Sequence, residues 1–109
     1  MNTKSEQLKI YDDLISHCPR FERKGKTMFF CSANGHMFSI LNKAGEIGIR
    51  FSKKVQSDYL EKYNTTTIKS YGSVMQGYIL VTSEMLKNQE DVVSLLNESY
   101  DYVMSLESK

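Results

Sequence analysis

The chain has 109 residues, 40% apolar and 25% charged, with a single proline, proportions that exclude disorder and fit one domain spanning 1–109. No apolar run approaches the roughly 18 residues of a membrane span. The polar start Met1-Asn2-Thr3-Lys4-Ser5-Glu6-Gln7 lacks the apolar core of a signal peptide, so a cytoplasmic location is expected.

The first predicted element is a helix. Thr3-x-x-Glu6 has the pattern of a capping box, in which each side chain satisfies a backbone donor at the helix start. Leu8, Tyr11, Leu14, Ile15 and Cys18 recur at helical spacing, and Pro19 disfavours helical geometry in the residue before it. A strand over Thr27-Met28-Phe29-Phe30-Cys31 then meets Asn34-Gly35, a pair that tolerates the positive φ angles of a tight hairpin. The chain returns through His36-Met37-Phe38-Ser39-Ile40-Leu41, turns at Asn42-Lys43-Ala44-Gly45, and enters a third strand in which Ile47, Ile49 and Phe51 alternate with Glu46, Gly48 and Arg50. Phe38, Ile40, Ile47 and Ile49 are expected to face the helices.

Ser52 caps a second predicted helix reaching about Tyr63, with Val55, Tyr59, Leu60 and Tyr63 on its apolar face. A second strand pair follows. Its first half is Thr65-Thr66-Thr67-Ile68, Tyr71-Gly72 marks the turn, and Val74 to Val81 forms a long apolar strand. Gly77 within it signals a bulge or a close backbone approach. Ser83 opens a short helical turn containing Met85 and Leu86. The last helix starts at Asn88, with Glu90 and Asp91 beside its positive end. Its apolar face is Val92, Leu95, Leu96, Tyr100, Val103 and Leu106. The expected fold class is α+β, α-β(3)-α-β(2)-α, a mostly antiparallel five-stranded sheet with helices packed on it. Such a sheet leaves an open edge, so a homodimer is expected.

No motif announces catalysis. Gly25-Lys26-Thr27 lacks the earlier glycine of a phosphate loop, since Arg20 occupies that position, and it opens a strand where the motif needs a helix. Cys18, Cys31, His17 and His36 are too scattered for zinc-ligand spacing. Cys31 and His36 flank the hairpin turn, but no orienting acid lies near them in sequence, so Cys31 is expected to pack. No cofactor, metal or catalytic residue is expected.

Charge is the remaining signal. The net value of +1 hides a basic stretch over residues 20–54 and an acidic remainder over 55–109. Arg20, Arg23, Lys24 and Lys26 precede the first strand, while Arg50, Lys53 and Lys54 surround the start of the second helix. Such an asymmetry is either a binding footprint or complementary packing within the domain. An isoelectric point near 7.7 is modest for a nucleic-acid binder.

Gly25-Lys26-Thr27-Met28-Phe29, Gly35-His36-Met37-Phe38, Gly45-Glu46-Ile47, Tyr71-Gly72 and Tyr100-Asp101-Tyr102-Val103 occur in an order and spacing that resembles the TfoX N-terminal domain family, from about Phe21 to Leu106. The resemblance implies the same α-β(3)-α-β(2)-α order, and a bacterial module related to the N-terminal part of a competence regulator. With the chain ending at Lys109, a stand-alone copy of that module is expected. Many members have Met-Phe-Gly-Gly where this chain has Met28-Phe29-Phe30-Cys31, and often proline where it has Thr82. The expected function is a small non-enzymatic regulatory or interaction module that binds a protein partner. The alternative is direct nucleic-acid binding through the basic segment 20–54.

Overall fold

The computed structural model describes residues 4–26, 28–70 and 72–108. Thr3 of the expected capping box and Tyr71 of the expected turn lie outside them. The chain runs α1 (Lys4–Ser16), β1 (Phe29–Ala33), β2 (His36–Leu41), β3 (Ile47–Arg50), α2 (Lys53–Lys62), β4 (Lys69–Ser70), β5 (Ser73–Val74), β6 (Tyr78–Leu80), α3 (Ser83–Leu86) and α4 (Gln89–Met104). It is an α+β fold with an antiparallel sheet of order β1-β2-β3-β6, and β4 and β5 form a separate ribbon.

The turns follow from their residues. Asn34 and Gly35 have φ of 55° and 80° and join Ala33 to His36, the two-residue hairpin geometry that Asn-Gly favours. Asn42 builds the next turn. Its Oδ1 accepts from the Glu46 backbone amide at 2.9 Å, and its Nδ2 donates to the Lys69 carbonyl at 2.8 Å, tying the turn to β4. Ser52 Oγ accepts from the Val55 amide at 3.3 Å and starts α2. Thr82 Oγ1 accepts from the Met85 amide at 3.2 Å and caps α3.

Two expectations need correction. Among the described residues the sheet holds four strands, where five were expected. Gly77 stops the predicted long strand: its φ is 84°, and a Cβ there would lie 2.8 Å from the Phe51 carbonyl oxygen. Only Tyr78–Leu80 remains as β6. The segment at 65–68 runs beside β6, with the Leu80 amide donating to the Thr66 carbonyl at 2.9 Å, but it forms no strand of the sheet.

Ile40 is the second correction. Cys31 pairs with Ser39 and Ser32 with Met37, so Phe38 is an extra residue on β2 and the ladder has a bulge. The bulge breaks the alternation that would put Phe38 and Ile40 on one face. Phe38, Leu41, Ile47 and Ile49 join the core beneath α1 and α4, with Tyr11, Ile15, Leu96 and Val103. Ile40 instead meets Ile68 and Tyr78 on the opposite face, in a smaller core roofed by Met28, Met37, Met75 and Leu80. Gly48 pairs with Ile40 and lies under Ile68, two of whose carbons would stand 3.0 Å from a Cβ at that position. The absence of a side chain there is what lets Ile68 close the second core.

Candidate functional site

The two halves of the basic segment have different surroundings. Arg20 and Arg23 sit in the loop after α1 and reach acids on neighbouring helices. Arg20 Nη1 donates to Asp101 Oδ1 at 2.7 Å, and its guanidinium lies 4.6 Å from the Tyr100 ring centroid. The Arg20 hydrogen bond holds the Asp101 carboxyl below the usual carboxylate range. Arg23 Nε donates to Asp12 Oδ1 at 2.5 Å, and its guanidinium covers the Phe29 ring. Lys24 exchanges two backbone hydrogen bonds with Phe30 and donates from Nζ to Ser32 Oγ at 3.2 Å. Lys26 is exposed. Phe21, interleaved with these charges, stacks on Tyr100 and meets Phe38 edge-on, so it is a core aromatic.

Arg50, Lys53 and Lys54 lie elsewhere. Asn97 and Asp101, which hold Arg20, are four residues apart on one face of α4. Arg50 instead approaches the Tyr102 ring, at 5.7 Å. Tyr100, under Arg20, and Tyr102 are two residues apart on the helix, hence about 200° apart around it. The fold therefore splits the basic segment and puts α4 between its halves. Lys54 is 89% exposed, with Nζ 4.0 Å from Asp58 Oδ2 one turn along α2.

Arg50 and Lys53 line a cleft of about 190 Å³, together with Phe51, Gln56, Gln76, Gly77 and Tyr102. Its floor is fixed by main chain. The Phe51 amide donates to the Gly77 carbonyl at 2.9 Å, and buried Ser99 donates from Oγ to the Arg50 carbonyl. Gln56 Nε2 donates to the Tyr78 carbonyl at 2.9 Å, which sets one wall. No acid pairs with Arg50 or Lys53 among the described residues. Of the lining residues, Gln56 and Gln76 carried no signal in the sequence, and Tyr102 entered only within the Tyr100-Asp101-Tyr102-Val103 resemblance; the three come from separate segments, so no local pattern joins them. Gly77 did carry one, since its close backbone approach is what closes the cleft floor.

The thiols are enclosed. Cys31 is fully buried, and Tyr11 Oη donates to its Sγ at 3.7 Å. Burial pushes the Cys31 thiol up to about 11, against which the Tyr11 hydrogen bond acts only partly. Cys18 is buried and also raised by burial; its Sγ donates to the Leu14 carbonyl at 3.6 Å. His36 Nε2 bonds the Glu107 carbonyl at 2.7 Å, at the far end of α4. Cys31 and His36 thus have different hydrogen-bond partners. Among the described residues, no three His, Cys, Asp or Glu side chains gather as metal ligands, and no helix is long and apolar enough to cross a membrane.

A second cleft, of about 240 Å³, lies between the end of α2 and the α3–α4 pair, where Lys62, Glu84 and Asp91 surround Met85, Val92 and Leu95. With one cation and two acids, its lining is mixed and slightly acidic, so it offers no site for an anionic group. In comparisons with known proteins, no family model matches the chain, and no curated protein matches it.

Proposed function

We propose that this chain is a non-enzymatic interaction module of the TfoX N-terminal type, acting by binding a protein partner. The order of a helix, a three-stranded meander, a helix, a second strand run and closing helices supports that likeness. The observation that carries the binding reading is the division of the basic segment. Arg20 and Arg23 are neutralised by Asp101 and Asp12, and Arg50 and Lys53 converge on one small cleft on another side of α4. A nucleic acid is held by a track of cations that displaces many counterions. A single cleft with two cations suits one anionic group on a folded or extended protein surface. The buried, protonated thiols support a role without covalent chemistry, since nucleophilicity follows thiolate character.

Affinity capture from the native host, with and without nuclease, tests the reading. Recovery of the same protein in both arms is the expected result. Recovery that disappears with nuclease would replace it with the nucleic-acid alternative.

A further inference from the structure

We propose that the cleft between the end of β3, the first turn of α2 and the turn before β6 binds a carboxylate-bearing, acidic segment of the protein partner, with Arg50 as its principal contact and Lys53 as the second charge. This deepens the protein-partner reading and rests on it.

Arg50 is built in rather than free. Its side chain passes over Gly77, where a Cβ would come within 3.4 Å of its Cγ and 3.8 Å of its Nε. Its guanidinium stands off the Tyr102 ring, and the residue is part-buried. A planar guanidinium held this way offers paired donors that match a carboxylate. Arg20 and Arg23 answer the same requirement with acids of this chain, whereas Arg50 has none among the described residues. Lys53 adds a second positive charge in the first turn of α2, a turn with no acidic residue to offset it. The exposed Gln76 supplies a neutral amide at the rim, able to meet a peptide backbone as donor and acceptor.

Size and charge choose the occupant. About 190 Å³ accommodates a side-chain-sized group, not a run of phosphates. The neighbouring Lys54 turns toward Asp58, and the first basic cluster lies across α4. Among the described residues, no continuous cationic track therefore leads out of the cleft for a nucleic acid to follow.

The test is an amide chemical-shift titration of the full chain with a hexaglutamate peptide, a hexaserine peptide and a single-stranded oligothymidylate. The expected result is salt-sensitive movement of the Lys53, Gln76, Gly77 and Tyr102 amides with hexaglutamate alone. Arg50→Gln should weaken that binding roughly tenfold, the loss of about one charge-assisted hydrogen bond, and the surface control Lys87→Gln should leave it intact. Lys53→Gln, at an exposed position, gives a second reading if Arg50→Gln disturbs the fold. No movement, movement that survives both substitutions, or tighter binding of oligothymidylate at the same amides would overturn the proposal. A captured partner whose recovery ignores Arg50→Gln would remove the cleft and keep the protein-partner reading. Hexaglutamate binding in the cleft, with only nuclease-sensitive capture, would remove that reading and with it the assignment of the segment to a protein.

Discussion

Ser99 has one proton and two carbonyls to satisfy. It is fully buried on α4, and its Oγ donates to the Phe38 carbonyl at 3.2 Å and to the Arg50 carbonyl. Phe38 is the extra residue of the β2 bulge, so its carbonyl has no place in the β1 ladder. Ser99→Ala removes the hydroxyl without changing the packing volume much and leaves those carbonyls short of a donor. The expected loss is about 1–3 kcal/mol in urea melts; an unchanged midpoint would show that neither carbonyl depends on Ser99. Cys31 and Tyr11 give a second prediction at this scale. Burial raises the Cys31 thiol from 9.0 to about 11 and the Tyr11 phenol well above 10.0. Between the unfolded and folded values the folded state keeps protons that the unfolded state releases, so stability falls as pH rises. Denaturant melts should therefore show stability declining from about pH 9 upward, and alkylation of native Cys31 should be far slower than in the unfolded chain. A flat profile to pH 11 would contradict the burial of these groups.

The β1–β2 hairpin is an element with two jobs, turning the chain and closing α4. Asn34, at the positive φ of the turn, donates from Nδ2 to the Val103 carbonyl at 3.0 Å and the Leu106 carbonyl at 2.8 Å. The Val103 carbonyl also accepts from the Leu106 amide at 3.2 Å, so Asn34 adds a donor where the end of α4 runs short of them. Asn34→Gly keeps the turn geometry and loses the cap, so it should cost about 1–2 kcal/mol and speed amide exchange in the last turn of α4. Asn34→Ala should cost about 1–2 kcal/mol more, because alanine resists the left-handed conformation. Equal effects would show that the cap, not the left-handed turn, carries the stability, and no loss on Asn34→Gly would remove the cap. The turn itself was legible from Asn34-Gly35, as were Ser52 at the start of α2 and the apolar face of α4, since each is encoded within a few residues. The cap was not, because its partners are about 70 positions away. The bulge at Phe38 was illegible for a related reason: β2 has apolar residues on both parities, Met37, Phe38, Ile40 and Leu41, so its sequence does not mark the parity break, which depends on how β1 and α4 fit against it. Gly77 was read as a close approach, which it makes, but its consequence, a strand shortened to Tyr78–Leu80, depends on Phe51 across the sheet.

At the scale of the molecule, both outer strands of the sheet have neighbours. Lys24 bridges Phe30 on the β1 side. On the β6 side, Thr66 accepts from the Leu80 amide, and Gln56 donates to the Tyr78 carbonyl. Edge pairing between two copies would have to displace these bonds. Light scattering on the eluting protein is therefore expected to give a mass near the monomer value of 12.6 kDa; a stable dimer would place the contact on another surface. The candidate site was half legible at this scale. Sequence marked the seven cations but could not show that Arg20 and Arg23 meet Asp101 and Asp12, because those acids lie on helices brought close only by folding. What reaches the cleft of Arg50 and Lys53 in the cell decides the function. A photo-crosslinking residue in place of Gln76, which is exposed at the cleft rim, reports that most directly. The expected result is a discrete, nuclease-resistant protein adduct that is lost when Arg50→Gln is added. An adduct removed by nuclease, or a protein adduct indifferent to Arg50→Gln, would contradict it.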